Sequence, residues 1–81
     1  MGVRYRYRPQ VLKALAAHGV RPTPATRPEL VHEFVSDLYR FELRRLRARQ
    51  VPRQAYSGHV VALRRRYLLV SVPLRHWTRD A

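Results

Sequence analysis

The chain has 81 residues, enough for one small domain, and its 46% apolar content excludes wholesale disorder. With no cysteine, neither a disulfide framework nor a thiolate metal cage is available. Seventeen Lys and Arg against five acids give a net charge of +12, an excess that points to an anionic partner, most commonly a phosphate polymer.

Val3-Arg4-Tyr5-Arg6-Tyr7-Arg8 alternates apolar and basic residues with period two. The pattern suits a short strand with three arginines on one face, or a basic extended arm over residues 1–8. Pro9 stops that run and is well placed to open a helix. Val11, Leu12, Leu15 and Ala16 then recur at helical spacing and Gly19 is a stop, which predicts a first helix over about 9–18. Leu15-Ala16-Ala17-His18-Gly19-Val20 resembles the first helix and turn of a helix-turn-helix. Pro22 and Pro24 lie where the recognition helix would begin and remove backbone donors there, so the resemblance ends at the turn.

Residues 20–27 read as a stiff proline-rich connector. Thr26 and Glu29 have capping-box spacing, and Pro28 suits a first turn. A long second helix is predicted over about 27–49. Its acids (Glu29, Glu33, Asp37) come early and its arginines (40, 44, 45, 47 and 49) late, an order that complements the helix dipole. Leu30, Val31, Phe34, Val35, Leu38, Tyr39, Phe41, Leu43 and Leu46 cover an arc of roughly 220°. One neighbouring helix cannot cover such an arc. This helix is therefore central to the fold or also faces a second subunit, which makes a homodimer an expectation. Glu42 falls within the arc and calls for an arginine partner, from Arg45 or Arg49 or from Arg64 to Arg66.

Tyr56, Val60, Leu63, Tyr67, Val70 and Leu74 follow at spacings of four and three, a packing seam that predicts a third helix over about 53–71. Val72-Pro73 should break it before a tail at 74–81. The fold expected is all-α, a compact three-helix domain over 1–81 with a central long second helix. The rival is α+β, with Tyr67–Val72 a strand paired to the alternating N-terminus.

Chemistry-bearing constellations are sparse. His18, His32, His59 and His76 are scattered without metal-site spacing. Glu29, Glu33 and Asp37 read as a solvated helix face. No Ser or Thr lies beside a plausible base and orienter together, and three glycines make a phosphate cradle hard to build. A non-enzymatic protein without metal or cofactor is expected. No apolar run reaches the roughly 18 residues of a membrane span, and the N-terminus lacks a secretory apolar region, so the setting expected is cytoplasmic and off the membrane.

The charge is uneven. Residues 1–28 carry six bases and no acid, 29–51 five arginines and four acids, and 52–81 six arginines and one acid. Two basic ends flank a nearly neutral middle. Arg4, Arg6 and Arg8, interleaved with Tyr5 and Tyr7, combine phosphate neutralisation with base stacking. Arg64, Arg65 and Arg75 extend the candidate nucleic-acid surface, for RNA or DNA. Side chains at 64, 65 and 66 diverge by about 100° each on a helix, which leaves one free to pair internally. The alternative role is an adaptor or small accessory subunit on an acidic protein surface, anchored by Tyr67, Arg66 and Trp77. Trp77 suits a core plug as well as an exposed platform.

Overall fold

Proline and glycine punctuation places the helices. In the computed structural model, which describes residues 2–49 and 51–79, α1 spans Pro9–Ala16, α2 Pro28–Ala48 and α3 Arg53–Arg66. Pro9 and Pro28 each occupy the first helical position, where the missing N–H costs nothing and φ is already helical. α1 closes on Gly19 at φ 75°, with Val20 N–H donating to Leu15 O (3.0 Å) and Gly19 N–H to Ala16 O (2.9 Å). This is a Schellman closure, and the left-handed conformation it needs is the reason for glycine there.

The predicted capping box does not form. Arg27 is the N-cap of α2, and its guanidinium, which has no acceptor, makes no side-chain cap bond. The Thr26 hydroxyl instead accepts from Thr23 N–H (3.0 Å) and lies 3.1 Å from the Thr23 hydroxyl, in a local turn of the connector. With Pro28 fixed at the first helical position, Thr26 sits one residue too early to cap.

The third helix is also shorter than predicted. α3 ends at Arg66, and Leu68–Ser71 form a 3-10 turn, neither α-helix nor strand. Tyr67 and Leu69 are both buried, 6% and 8% exposed. Two residues apart on an α-helix they would point about 200° apart, so the chain must leave the helix to bury both. Pro73 then holds Val72 extended (φ −82°, ψ 123°). The alternating N-terminus does become a strand, with a different partner from the one expected. β1 (Arg6–Tyr7) pairs antiparallel with β2 (Thr78–Arg79) from the tail, placing Arg6 opposite Arg79 and Tyr7 opposite Thr78. The fold is a three-helix domain with this single short ladder.

The core gathers around Trp77, Leu15 and Val35, all 0% exposed, together with Val11, Val31, Leu63, Tyr67 and Leu69. Trp77 Nε1–H donates to Val72 O at 3.0 Å, so the indole is buried with its donor satisfied. Every α2 residue in this core comes from the N-terminal half of the helix. Past Leu43, α2 and α3 continue as a hairpin in which Leu46 is buried apart from the main core. The molecule is accordingly a rod of 53 × 18 × 17 Å. Among the described residues, no helix is long and apolar enough to cross a membrane.

Candidate nucleic-acid interface

Residues 5–8 are docked against the rest of the fold and do not form a free arm. Tyr5 N–H donates to Pro24 O (2.8 Å), Arg8 N–H donates to Trp77 O (2.9 Å), and the Tyr7 hydroxyl donates to Thr26 O. Partial burial raises the Tyr7 phenol above its ordinary value, and the Glu29 carboxylate and Tyr5 add to this. Tyr7 therefore belongs to the framework. Between this strand and the proline-rich connector runs an open groove of about 580 Å³, lined by residues 4–7 of the N-terminal segment, Leu12 and residues 22–24 of the connector, so that Tyr7 also forms part of its wall. It has apolar walls and two guanidinium groups.

The ladder extends this basic surface. Arg6 and Arg79 are directly opposite and both exposed, and Arg75, exposed, lies in the 3-10 turn Leu74–His76 just before β2. Like charges facing each other across a strand pair are destabilising unless something neutralises them. The two chain ends, far apart in sequence, thus meet at one basic surface. Arg8 departs from the expected shared face. It lines a separate cleft of about 320 Å³ with Gln10, Val11, Leu69, Val72 and His76, and its Nε is buried without a hydrogen-bond partner among the described residues. Arg8, still extended, is the N-cap of α1 and lies one residue past the ladder, so pairing with β2 no longer sets the direction of the side chain.

Arg64 and Arg65 are exposed on the last turn of α3 and do not line the groove. They belong to a second basic surface. From Leu43 to Arg65 the hairpin carries Arg44, Arg45, Arg47, Arg49, Arg53, Arg64 and Arg65 and no acid, and all seven arginines are exposed. Division of the chain by position hid this surface, because the nearly neutral middle segment averages an acidic N-terminal half of α2 with a basic C-terminal half. Counting charge per half-helix would have revealed it.

Few of these charges are internally compensated. Among the described residues the ion pairs are Arg27–Glu29 (3.5 Å), Arg40–Asp37 (2.8 Å) and Arg66–Glu42 (3.7 Å). The last meets the expectation of an arginine for Glu42, and it comes from the neighbouring helix. Glu42 Oε2 is buried without a hydrogen-bond partner and faces Tyr67. Burial, and then the Glu42 carboxylate, push the Tyr67 phenol up against a smaller opposing pull from Arg66.

Tyr67 and Trp77 cannot anchor an adaptor interface, since both lie in the core; of that trio only Arg66 is exposed, and it holds Glu42. Tyr67 stacks on His18 (centroids 4.3 Å apart) and tilts against Tyr39. Two histidines finish helix ends. His18 Nε2 donates to Arg66 O at 2.8 Å, satisfying a carbonyl orphaned where α3 stops, and His32 Nε2 donates to Val70 O at 2.9 Å in the 3-10 turn. Among the described residues no group of three or more His, Asp or Glu is placed to hold a metal ion. Compared with known proteins, the chain matches no family model, no curated protein and no solved structure.

Proposed function

We propose that this protein is a non-enzymatic nucleic-acid-binding or ribonucleoprotein-associated protein that grips RNA or DNA mainly through the phosphate backbone. The observation that carries this reading is the meeting of the chain ends. The β1–β2 ladder holds Arg6 against Arg79, with Arg4 on the adjoining groove, and none of the three has a carboxylate partner among the described residues. A fold that holds guanidinium groups this close gains from a polyanion that neutralises them. Tyr5, half-buried in the groove wall, supplies an aromatic ring to an unpaired base, and the proline and leucine side chains beside it carry no hydrogen-bonding groups. Contacts of this kind position a nucleic acid without selecting sequence. A cytoplasmic setting supplies such partners.

The test is titration of labelled single-stranded RNA, single-stranded DNA and duplex across a salt series. Affinity should fall steeply with salt and depend weakly on sequence. Replacing Arg4, Arg6 and Arg79 with Gln together should lower the log–log salt slope by about 2–3, since each lost phosphate contact is worth about 0.7 on single strands and 0.9 on duplex. Absence of binding at about 50 mM salt, or affinity indifferent to salt, overturns the proposal.

A further inference from the structure

α2 leaves one face uncovered, and its chemistry identifies the occupant. Leu30, Phe34 and Phe41 are 58%, 53% and 56% exposed, although the core takes Val31 and Val35 from the same helix. At about 100° per residue these three fall within about 40° of one another, in a stripe about 16 Å long. Large apolar side chains lined up on the surface of a small domain mark a contact site. One flank of the stripe carries Glu29 and Glu33 toward the N-terminus and Arg40, Arg44 and Arg47 toward the C-terminus, with Asp37 near its middle.

We infer that this face pairs with a second copy of the chain, the two α2 helices running antiparallel about a two-fold axis near Asp37–Leu38. That axis sets Phe34 against the partner's Phe41, and Phe41 against the partner's Phe34. A two-fold perpendicular to the helix pair keeps the same flank of each helix on the same side. Glu33 then lies between the partner's Arg40 and the partner's Arg44, and the contact occurs twice. The order of charges is self-complementary only in this antiparallel sense; a parallel two-fold pair would carry the charged flanks to opposite sides of the seam and lose these contacts. A nucleic acid is a poor occupant, because Glu29, Glu33 and Asp37 would repel it, and a partner of single charge would satisfy only half of the flank. The existing pairs Arg40–Asp37 and Arg27–Glu29 are exposed and exchange readily for contacts with the partner. Glu33 and Arg44 have no ion-pair partner among the described residues.

This inference does not rest on the nucleic-acid reading, and its test uses full-length protein freed of nucleic acid by nuclease treatment. Sedimentation equilibrium over roughly 1 µM to 1 mM, at about 150 mM salt and again at higher salt, should show a monomer–dimer equilibrium that saturates at two chains. Phe34→Glu and Phe41→Glu should each weaken the dimer by about tenfold or more while leaving unchanged the helical content and the melting temperature of the dilute monomer, because both side chains are at the surface. Glu33→Arg and Arg44→Glu should each weaken it, and the double variant should restore it. The two residues are eleven apart, about 16 Å along one helix, so no contact within a chain explains the rescue. A monomer throughout the range, assembly that does not stop at two, a dimer indifferent to Phe34→Glu, or a double variant without rescue overturns the inference.

Discussion

Trp77 brings together the 3-10 turns, the ladder and α2. Its ring is wholly buried, tilts against His32 at 5.5 Å, and donates its N–H to Val72 O, while its carbonyl accepts from Arg8 N–H. Trp77→Ala should cost about 3–5 kcal/mol. For a domain of this size, holding about 4–12 kcal/mol in all, that is a large share of the stability. Urea titration followed by circular dichroism should show loss of a cooperative transition or a midpoint shifted far down. Tyr67 makes a second prediction, in pH. Burial and Glu42 raise its phenol above the ordinary 10.0, so the folded state favours the neutral form. That stabilisation is complete below about pH 10 and is lost as pH rises through the folded value. Urea midpoints should therefore fall above about pH 10, and in Tyr67→Phe, which keeps the ring stacked on His18, they should fall less. Equal alkaline sensitivity in the two proteins would contradict this account.

Helix ends show how local signals compete with packing. α1 begins and ends within a residue or two of where Pro9, the apolar spacing and Gly19 place it, because those signals act over four or five residues. At the start of α2 two local signals conflict. Pro28 wins over Thr26, leaving Arg27 as a cap without a side-chain bond. Arg27→Ser should supply that bond and stabilise the protein by about 0.5–1 kcal/mol, with a higher melting temperature in thermal unfolding. The Arg27–Glu29 pair it removes is exposed and contributes little. α3 lies at the other extreme. The seam from Tyr56 to Leu74 correctly marks Leu63 and Tyr67 as core. The helix nevertheless stops at Arg66, because Leu69 must also reach the core and because His18, 48 residues earlier, accommodates the freed carbonyl.

At the scale of the whole molecule, the two basic surfaces lie toward opposite ends of α2. The ladder adjoins Trp77, which packs on His32, whereas the hairpin begins its turn at Ala48. Sixteen residues of helix separate those levels, about 24 Å. At 3.4 Å per nucleotide along a duplex strand, about seven base pairs are needed to bridge them. Affinity should rise with duplex length until about that span and then level off, apart from the gain from added registers. Measured on a length series, the salt slope should grow over the same interval. Replacing Arg49, Arg53 and Arg65 with Gln, all exposed on the hairpin and outside the Glu33–Arg44 flank of α2, should flatten the length dependence above the span while sparing the shortest duplexes. The rod, 53 Å long, is long enough for such contact in spite of the small domain.

Much of this architecture is written in short-range features. Charge, the absence of cysteine, three helices in order, a dominant second helix and a guanidinium partner for Glu42 all follow from residue type and from periods of two and 3.6. Which residues meet across the chain does not. The pairing of Arg6 with Arg79, the burial of Trp77, the hydrogen bond from His18 to Arg66 and the exposure of Phe34 and Phe41 depend on which faces the helices turn to one another. Side chains at helical spacing look alike whether a neighbour covers them or not. Only the competition among all the apolar faces for one small core settles which are buried, and with it which charges are left for a partner.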